Sequence, residues 1–295
     1  MKRTTSKHTP NVPLAKSNPR QSHAWIASAN IDSKGKRVIN RKKVALQIVT
    51  VCVHRDAPHS IADRAALMNK IAQCVSSPLG TPTLWVFPGG YFNLGRCDVQ
   101  SGLDKTECGH LAKQLRKCGK YFPSKSTVIF GVDTDSHQEV WVTTPSSPSA
   151  YYRIRRGSTP LVNRVVDVGN KMKATIFVCG EFTGSKAPTN GPYDLCNGKK
   201  LYLDDLSVLR NSQVLVDVAH CCVPGTVNKT RPSWRMAHQR QMERFSKIGV
   251  AVLAHHHFGS VRNNRPMCRH QSNWVVFKGG ERLNNSDVKE CCGYR

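Results

Sequence analysis

The 295-residue sequence predicts an α/β protein with mixed sheets and helices packed outside them. Three observations carry that expectation. Short apolar runs rich in Val, Ile, Phe and Trp recur along the chain, each about the length of a buried strand. Stretches with apolar residues at helical spacing fall between several of these runs. Hairpin-like pairs of runs stand in the middle and at the end. That many strands also admits two packed sheets.

The elements follow in order. "VALQIVTVCV" (44–53) is the first strong strand, followed by a turn at "HRDAPHS" in which Ser60 is placed to cap a helix. In "IADRAALMNKIAQCV", Ile61, Ala65, Leu67, Met68, Ile71, Cys74 and Val75 fall largely on one helical stripe. "TLWVF" (83–87) is a short buried strand that stops at Pro88-Gly89-Gly90, a turn whose glycines permit positive φ. A helix over 103–118 precedes a strand, "STVIFGV" (126–132), and then "QEVWVTT" and "YYRI" as a hairpin. "KATIFVC" is the next buried strand, and "LYLDDLSVLRN" reads as a helix. "QVLVDVA" (213–219) is a strand, 234–248 a helix, and "GVAVLAHHHFG" and "SNWVVFKGG" the last strands.

Composition limits the function classes. With 39% apolar and 7% aromatic residues, the chain is not disordered as a whole. No apolar run reaches the roughly 18–20 residues of a membrane span, and the basic start lacks the apolar core of a secretory signal. A soluble cytoplasmic protein is expected, with its twelve cysteines reduced. The formal charge is +25. Residues 1–43 carry eleven lysines and arginines against Asp32 alone. Residues 1–42 are therefore expected to be a basic, disordered arm, which either keeps the chain soluble or binds nucleic acid or another polyanion without sequence preference. Residues 43–282 are expected to be the folded domain and 283–295 a tail.

Chemistry in open α/β folds gathers at the carboxyl ends of strands. Four such ends stand out: Phe87-Pro88-Gly89-Gly90, Cys179-Gly180-Glu181, Ala219-His220-Cys221 and Ala254-His255-His256-His257. Cys179 is either a small buried hydrophobe or a nucleophile presented on a turn, needing a base nearby. His220 and His257 are candidates for that base. Glu181 is either a second carboxylate beside the thiol or a cap of the following turn. Cys179, His220, Cys221 and His257 lack paired metal-ligand spacing, so neither metal nor cofactor is expected.

The order of motifs resembles the carbon–nitrogen hydrolase (nitrilase/amidase) superfamily across about residues 43–282. "VALQIV" is similar to the family's opening strand and "LWVFPGGYF" to its strand ending in Phe-Pro-Glu. "YYRIRRG" stands where the family has its Tyr-Arg-Lys segment, and "ATIFVCGEF" resembles the nucleophile strand and elbow. "LRNSQVLVDVAH" and "HQRQMERFSKIGVAVLAHHHFG" resemble the two later segments. The resemblance implies a four-layer α-β-β-α sandwich with mixed sheets, and a dimer or larger oligomer. It also implies a cysteine that attacks a small amide, nitrile or carbamoyl compound to form a thioester. By position that cysteine is Cys179, with the Gly180 amide assisting at the oxyanion.

Two family positions are changed. Gly89 stands where the family has its general-base Glu. The oxyanion-stabilising Lys falls within Arg153-Ile154-Arg155. A guanidinium can hold an oxyanion, whereas a glycine cannot replace a base. Arg153 and Arg155 either face an anionic group or form a solvated strand edge. The rival to an active thiol hydrolase is a catalytically degenerate binding or scaffolding protein that keeps the fold.

Overall fold

The β-branched runs become fourteen strands in a computed structural model that describes residues 24–40, 43–54, 60–77, 80–93, 102–118, 121–144, 147–178, 181, 194–195, 199–200, 208–219, 232–257, 275–284 and 287–291. One wing holds β1 (Ala24–Ile31), β2 (Leu46–His54), β3 (Thr83–Val86), β4 (Ser126–Asp133), β5 (Gln138–Thr144) and β6 (Ser147–Arg155), with β14 (Val288–Cys291) paired to β1. The other holds β7 (Val165–Gly169), β8 (Met172–Val178), β11 (Val214–Ala219), β12 (Val250–His257) and the two-residue β13 (Val275–Val276). β9 (Asp194–Leu195) and β10 (Lys199–Lys200) form a separate small ribbon. The hydrogen-bonded path runs β6-β5-β4-β3-β2-β12-β11-β8-β7. Among the described residues, the strand ladders of the two wings meet at the tip of β12, where His256 and His257 register with Val53 and His54 of β2.

Both wings are mixed, as the alternation of elements predicts. β2, β3 and β4 run parallel, joined through the helices α1 (Ile61–Cys74) and α2 (Lys105–Cys118), while β4, β5 and β6 are antiparallel. β8, β11 and β12 run parallel, with α3 (Pro232–Phe245) crossing between the last two.

Alternation along each strand sorts the core into three layers. Ile48, Val86, Ile129 and Ile154 of the first wing meet Ile176, Val178, Val216 and Val252 of the second in one inner cluster. On the outer face of the first wing, Val49, Trp85, Phe130 and Trp141 pack with Met68 and Ile71 of α1 and Leu111 and Leu115 of α2. On the outer face of the second, Phe177, Leu215 and Leu253 pack with Met242 and Phe245 of α3. These three core layers lie between the four structural layers of an α-β-β-α sandwich.

Local signals set the helix ends. The Ser60 hydroxyl accepts from the Asp63 amide at 3.1 Å, the cap expected from the sequence. At α2, Asp104 and Glu107 exchange reciprocal bonds of 2.8 and 2.9 Å with each other's amides, a capping box.

Three expectations are revised. Residues 1–42 are not an arm throughout, because Ala24–Ile31 pairs with β2 over eight positions and buries Ala24, Trp25, Ile26 and Ala27. Nor is 283–295 simply a tail, since β14 pairs with β1. The side of β2 away from β3 needs a partner, and the terminal segments supply it. β7 was not expected; it forms a hairpin with β8 through Asn170 and Lys171, both at positive φ (51° and 62°), as in a type I′ turn. Of the helix expected over 201–211, only 208–210 are described as helical, and 201–207 lie outside the described residues.

Candidate active site

β8 ends at Val178, the last inner-face residue before the predicted elbow. The Glu181 amide donates back to the Val178 carbonyl at 3.0 Å, and the Val178 amide donates to Glu181 Oε2 at 2.9 Å. The backbone therefore reverses within four residues, and the Glu181 side chain fastens the reversal. Cys179 and Gly180 fall inside that interval and lie outside the described residues.

Glu181 is 1% exposed, and its carboxylate is engaged on both oxygens. Arg164 Nη2 donates to Oε1 at 2.9 Å and Nη1 donates to Oε2, while the Gly157 amide donates to Oε1 at 2.6 Å. Arg164 is equally buried, and its Nε donates to the Thr159 carbonyl at 2.7 Å. The Thr159 hydroxyl in turn accepts from the Arg155 amide at 2.8 Å. One buried ion pair thus ties the end of β8 to the connection leaving β6. Of the two roles open to Glu181 in the sequence, the turn-fastening one has these contacts.

The other strand tips gather beside this elbow. Val178 registers with Val218, and Ala219 registers with His255. The Ala219 carbonyl accepts from the Gly89 amide at 3.2 Å, which brings the Phe-Pro-Gly-Gly turn of the first wing onto the tip of β11. That turn is held from behind: the Gly131 amide donates to the Pro88 carbonyl at 3.1 Å, and a Cβ on Gly131 would lie 2.4 Å from Gly89 Cα. Gly90 has φ +58°, so the positive φ expected of this turn is present. The four strand ends singled out in the sequence, those of β3, β8, β11 and β12, are neighbours. His220, which follows Ala219, lies outside the described residues, and of His257 only the backbone, at the end of β12, is described.

Arg153 and Arg155 do not share the face of the inner cluster. Ile154 between them points into that cluster, so by alternation both arginines take the outer face of β6. The Arg153 guanidinium sits 4.3 Å over the Trp141 ring, a cation–π contact. Arg155 Nε donates to Glu139 Oε1 at 2.9 Å, and Trp141 Nε1 donates to Glu139 Oε2 at 2.9 Å. Glu139 is 3% exposed, so a buried carboxylate engages Arg155 on that side.

The sequence reading passed over Asp217, a fully buried acid in the middle of β11. It registers with Phe177 of β8 and Leu253 of β12, and alternation puts it on the face of Leu215 and Ala219. The signal was available: "VLVDVA" sets one carboxylate into an otherwise apolar strand. Among the described residues, no group of three His, Cys, Asp or Glu side chains is arranged to hold a metal ion. No helix among them is long and apolar enough to cross a membrane.

No family model and no curated protein sequence matches this chain. Solved structures do. A cysteine-to-alanine mutant of the Nesterenkonia AN1 amidase from the nitrilase superfamily superposes with a TM-score of 0.50 at 11% identity, covering 78% of this chain and 82% of that one. The fold is that of the nitrilase superfamily. A second structure of an amidase from Nesterenkonia sp. gives the same TM-score, identity and coverage. On the nitrilase fold, the converging tips of β3, β8 and β11 are also where the sequence resemblance puts its Phe-Pro-Glu turn, its nucleophile elbow and the strand that follows.

Proposed function

We propose that the chain is a divergent carbon–nitrogen hydrolase whose nucleophile is Cys179, acting on a small amide, nitrile or carbamoyl compound. The observation that carries this reading is the fastened reversal after Val178, set beside the tips of β11 and β3 on a nitrilase fold. Holding a nucleophile in place before substrate arrives is the entropic part of catalysis, and Glu181 fastened to Val178 is the contact that supports such a role for the intervening Cys179.

On an amide, the Cys179 thiol gives its proton to a base, and its sulfur attacks the carbonyl carbon. The carbonyl oxygen takes the electron pair as an oxyanion, held by backbone N–H groups of the turn such as that of Gly180. The C–N bond then breaks, the amine leaves with the proton from the base, and a thioester remains. Water, deprotonated by the same base, cleaves the thioester and restores the thiol. Gly89 cannot be that base. His257 ends β12, His220 follows the last residue of β11 in the sequence, and Asp217 lies two residues before the end of β11. Arg153 and Arg155 are engaged by Trp141 and Glu139, which leaves oxyanion stabilisation to backbone amides.

The degenerate-scaffold reading is favoured by one observation. Gly89 occupies the place of the family Glu, and Gly131 packs against its backbone. Ammonia release from a panel of short aliphatic amides and nitriles separates the two. An active hydrolase releases ammonia in the wild type and falls to background in Cys179→Ala. Absence of release across the panel favours the scaffold, and release that survives Cys179→Ala overturns Cys179 as the nucleophile.

A further inference from the structure

The last residue of α1 and the last residue of β14 bring two thiols together. Cys74 Sγ and Cys291 Sγ are 3.3 Å apart, though 217 positions separate them in the chain. Cys74 is exposed, whereas Cys291 is 2% exposed. A disulfide needs about 2.05 Å between the sulfurs, so the pair closes by a shift of little more than an ångström. Both residues end their elements, and the C-cap Val75 is already extended, so that shift breaks no interior helix or ladder bond.

We propose that Cys74 and Cys291 are a site of reversible disulfide formation, oxidised by a low-molecular-weight disulfide such as glutathione disulfide. Cys74 is the entry thiol because solvent reaches it. Its thiolate attacks one sulfur of the reagent, the reagent's S–S bond breaks, and one thiolate of the reagent leaves. The Cys291 thiolate then attacks Cys74 Sγ in the mixed disulfide and expels the second. The balance is one protein dithiol and one small disulfide giving one protein disulfide and two small thiols.

The bond would tie helix α1 to β14. β14 pairs with β1, and β1 with β2, so oxidation staples both terminal strands of the described sheet to the helix that covers it. Closing so long a loop constrains the unfolded chain strongly.

The test treats reduced full-length protein with glutathione disulfide, blocks remaining thiols, and maps linked peptides by non-reducing mass spectrometry. The expected product is a peptide pair joined through Cys74 and Cys291 and lighter by two hydrogens. Its formation raises the thermal midpoint by about 5 °C. Cys291→Ser should stop at a glutathione adduct on Cys74, and Cys74→Ser, a change at an exposed site, should give neither link nor shift. A lasting glutathione adduct on Cys74 in the wild type overturns the proposal. So does a first link from Cys74 to the adjacent Cys292 or to any other cysteine.

Discussion

Glu181 and Arg164 form a two-pronged ion pair that solvent scarcely reaches, each side chain being 2% exposed. It holds the reversal after β8 against the connection that leaves β6. A charge stranded there has no water to turn to. Removing one partner of such a pair costs about 3–5 kcal/mol. Arg164→Met and Glu181→Gln should each lower the stability measured by urea unfolding by that order. The double variant should lose less than the sum of the two, because neither charge is then left alone. Additive losses would mean that the pair is not coupled.

The turn of the first wing depends on the absence of a methyl group. A Cβ on Gly131 would meet Gly89 Cα at 2.4 Å, Gly90 N at 2.5 Å and Pro88 O at 2.7 Å, all of them backbone atoms. Gly131→Ala should therefore destabilise by about 1–3 kcal/mol and pull Gly89 from the Ala219 carbonyl. Gly109 is the contrast: it is exposed on α2, with nothing within 4 Å of its added Cβ. There the same substitution should stabilise by about 0.5–1 kcal/mol. Urea unfolding of both variants checks the opposite signs.

Cys108 lies on the buried face of α2, and burial pushes its thiol above the usual range. Arg153 pulls it back, and the nearby carboxylates of Glu139, Asp135 and Asp104 add to the rise. An acid raised by folding binds its proton more tightly in the native state. Its contribution is complete below the unfolded thiol's value, about pH 8.5, and is lost as pH climbs from there through the folded value. Wild-type stability should thus fall over this alkaline range with a slope that Cys108→Ala lacks. Equal slopes for the two proteins would contradict the assignment.

The terminal strands predict where truncation is tolerated. Removing residues 1–23 keeps β1 and its pairing with β2, and sets the reference midpoint for the longer truncation. Removing 1–42 strips the eight-position pairing with β2 and the partner of β14. That chain should unfold at a clearly lower temperature, as calorimetry would show. Limited proteolysis should spare Ala24–Ile31.

The interior of the sandwich was legible because its strands are predominantly apolar. "VALQIV", "STVIFGV", "KATIFV" and "QVLVDVA" need no partner to be recognised. β1 and β14 were not. Ala24–Ile31 lies between basic, Ser- and Asn-rich segments, and "VKEC" is half charged. Each becomes a strand because its neighbour offers unpaired backbone groups, a tertiary cause with little trace in the local sequence. At the site, the end of β8 at Val178 was legible from "ATIFVC", while the elbow residues Cys179 and Gly180 lie outside the described residues. Glu181, read as a second carboxylate or a cap of the following turn, bonds back to Val178 instead. Its partner was not legible, since Arg164 sits in a connection 17 residues away with no periodic relation to it. The outward facing of Arg153 and Arg155 was available in principle: alternation around Ile154 dictates it once Ile154 is recognised as core.

Selective covalent labelling at Cys179 tests the central claim most directly. The folded wild-type protein is exposed to limiting electrophilic amide, and adducts on all twelve cysteines are followed in time by peptide mass spectrometry. A nucleophile poised on the elbow should be modified first, ahead of the exposed Cys74, with the preference lost in urea. Competition by a small amide should slow labelling at Cys179 and leave Cys74 unaffected. Labelling of Cys179 no faster than Cys74, or unchanged by unfolding, would contradict the account.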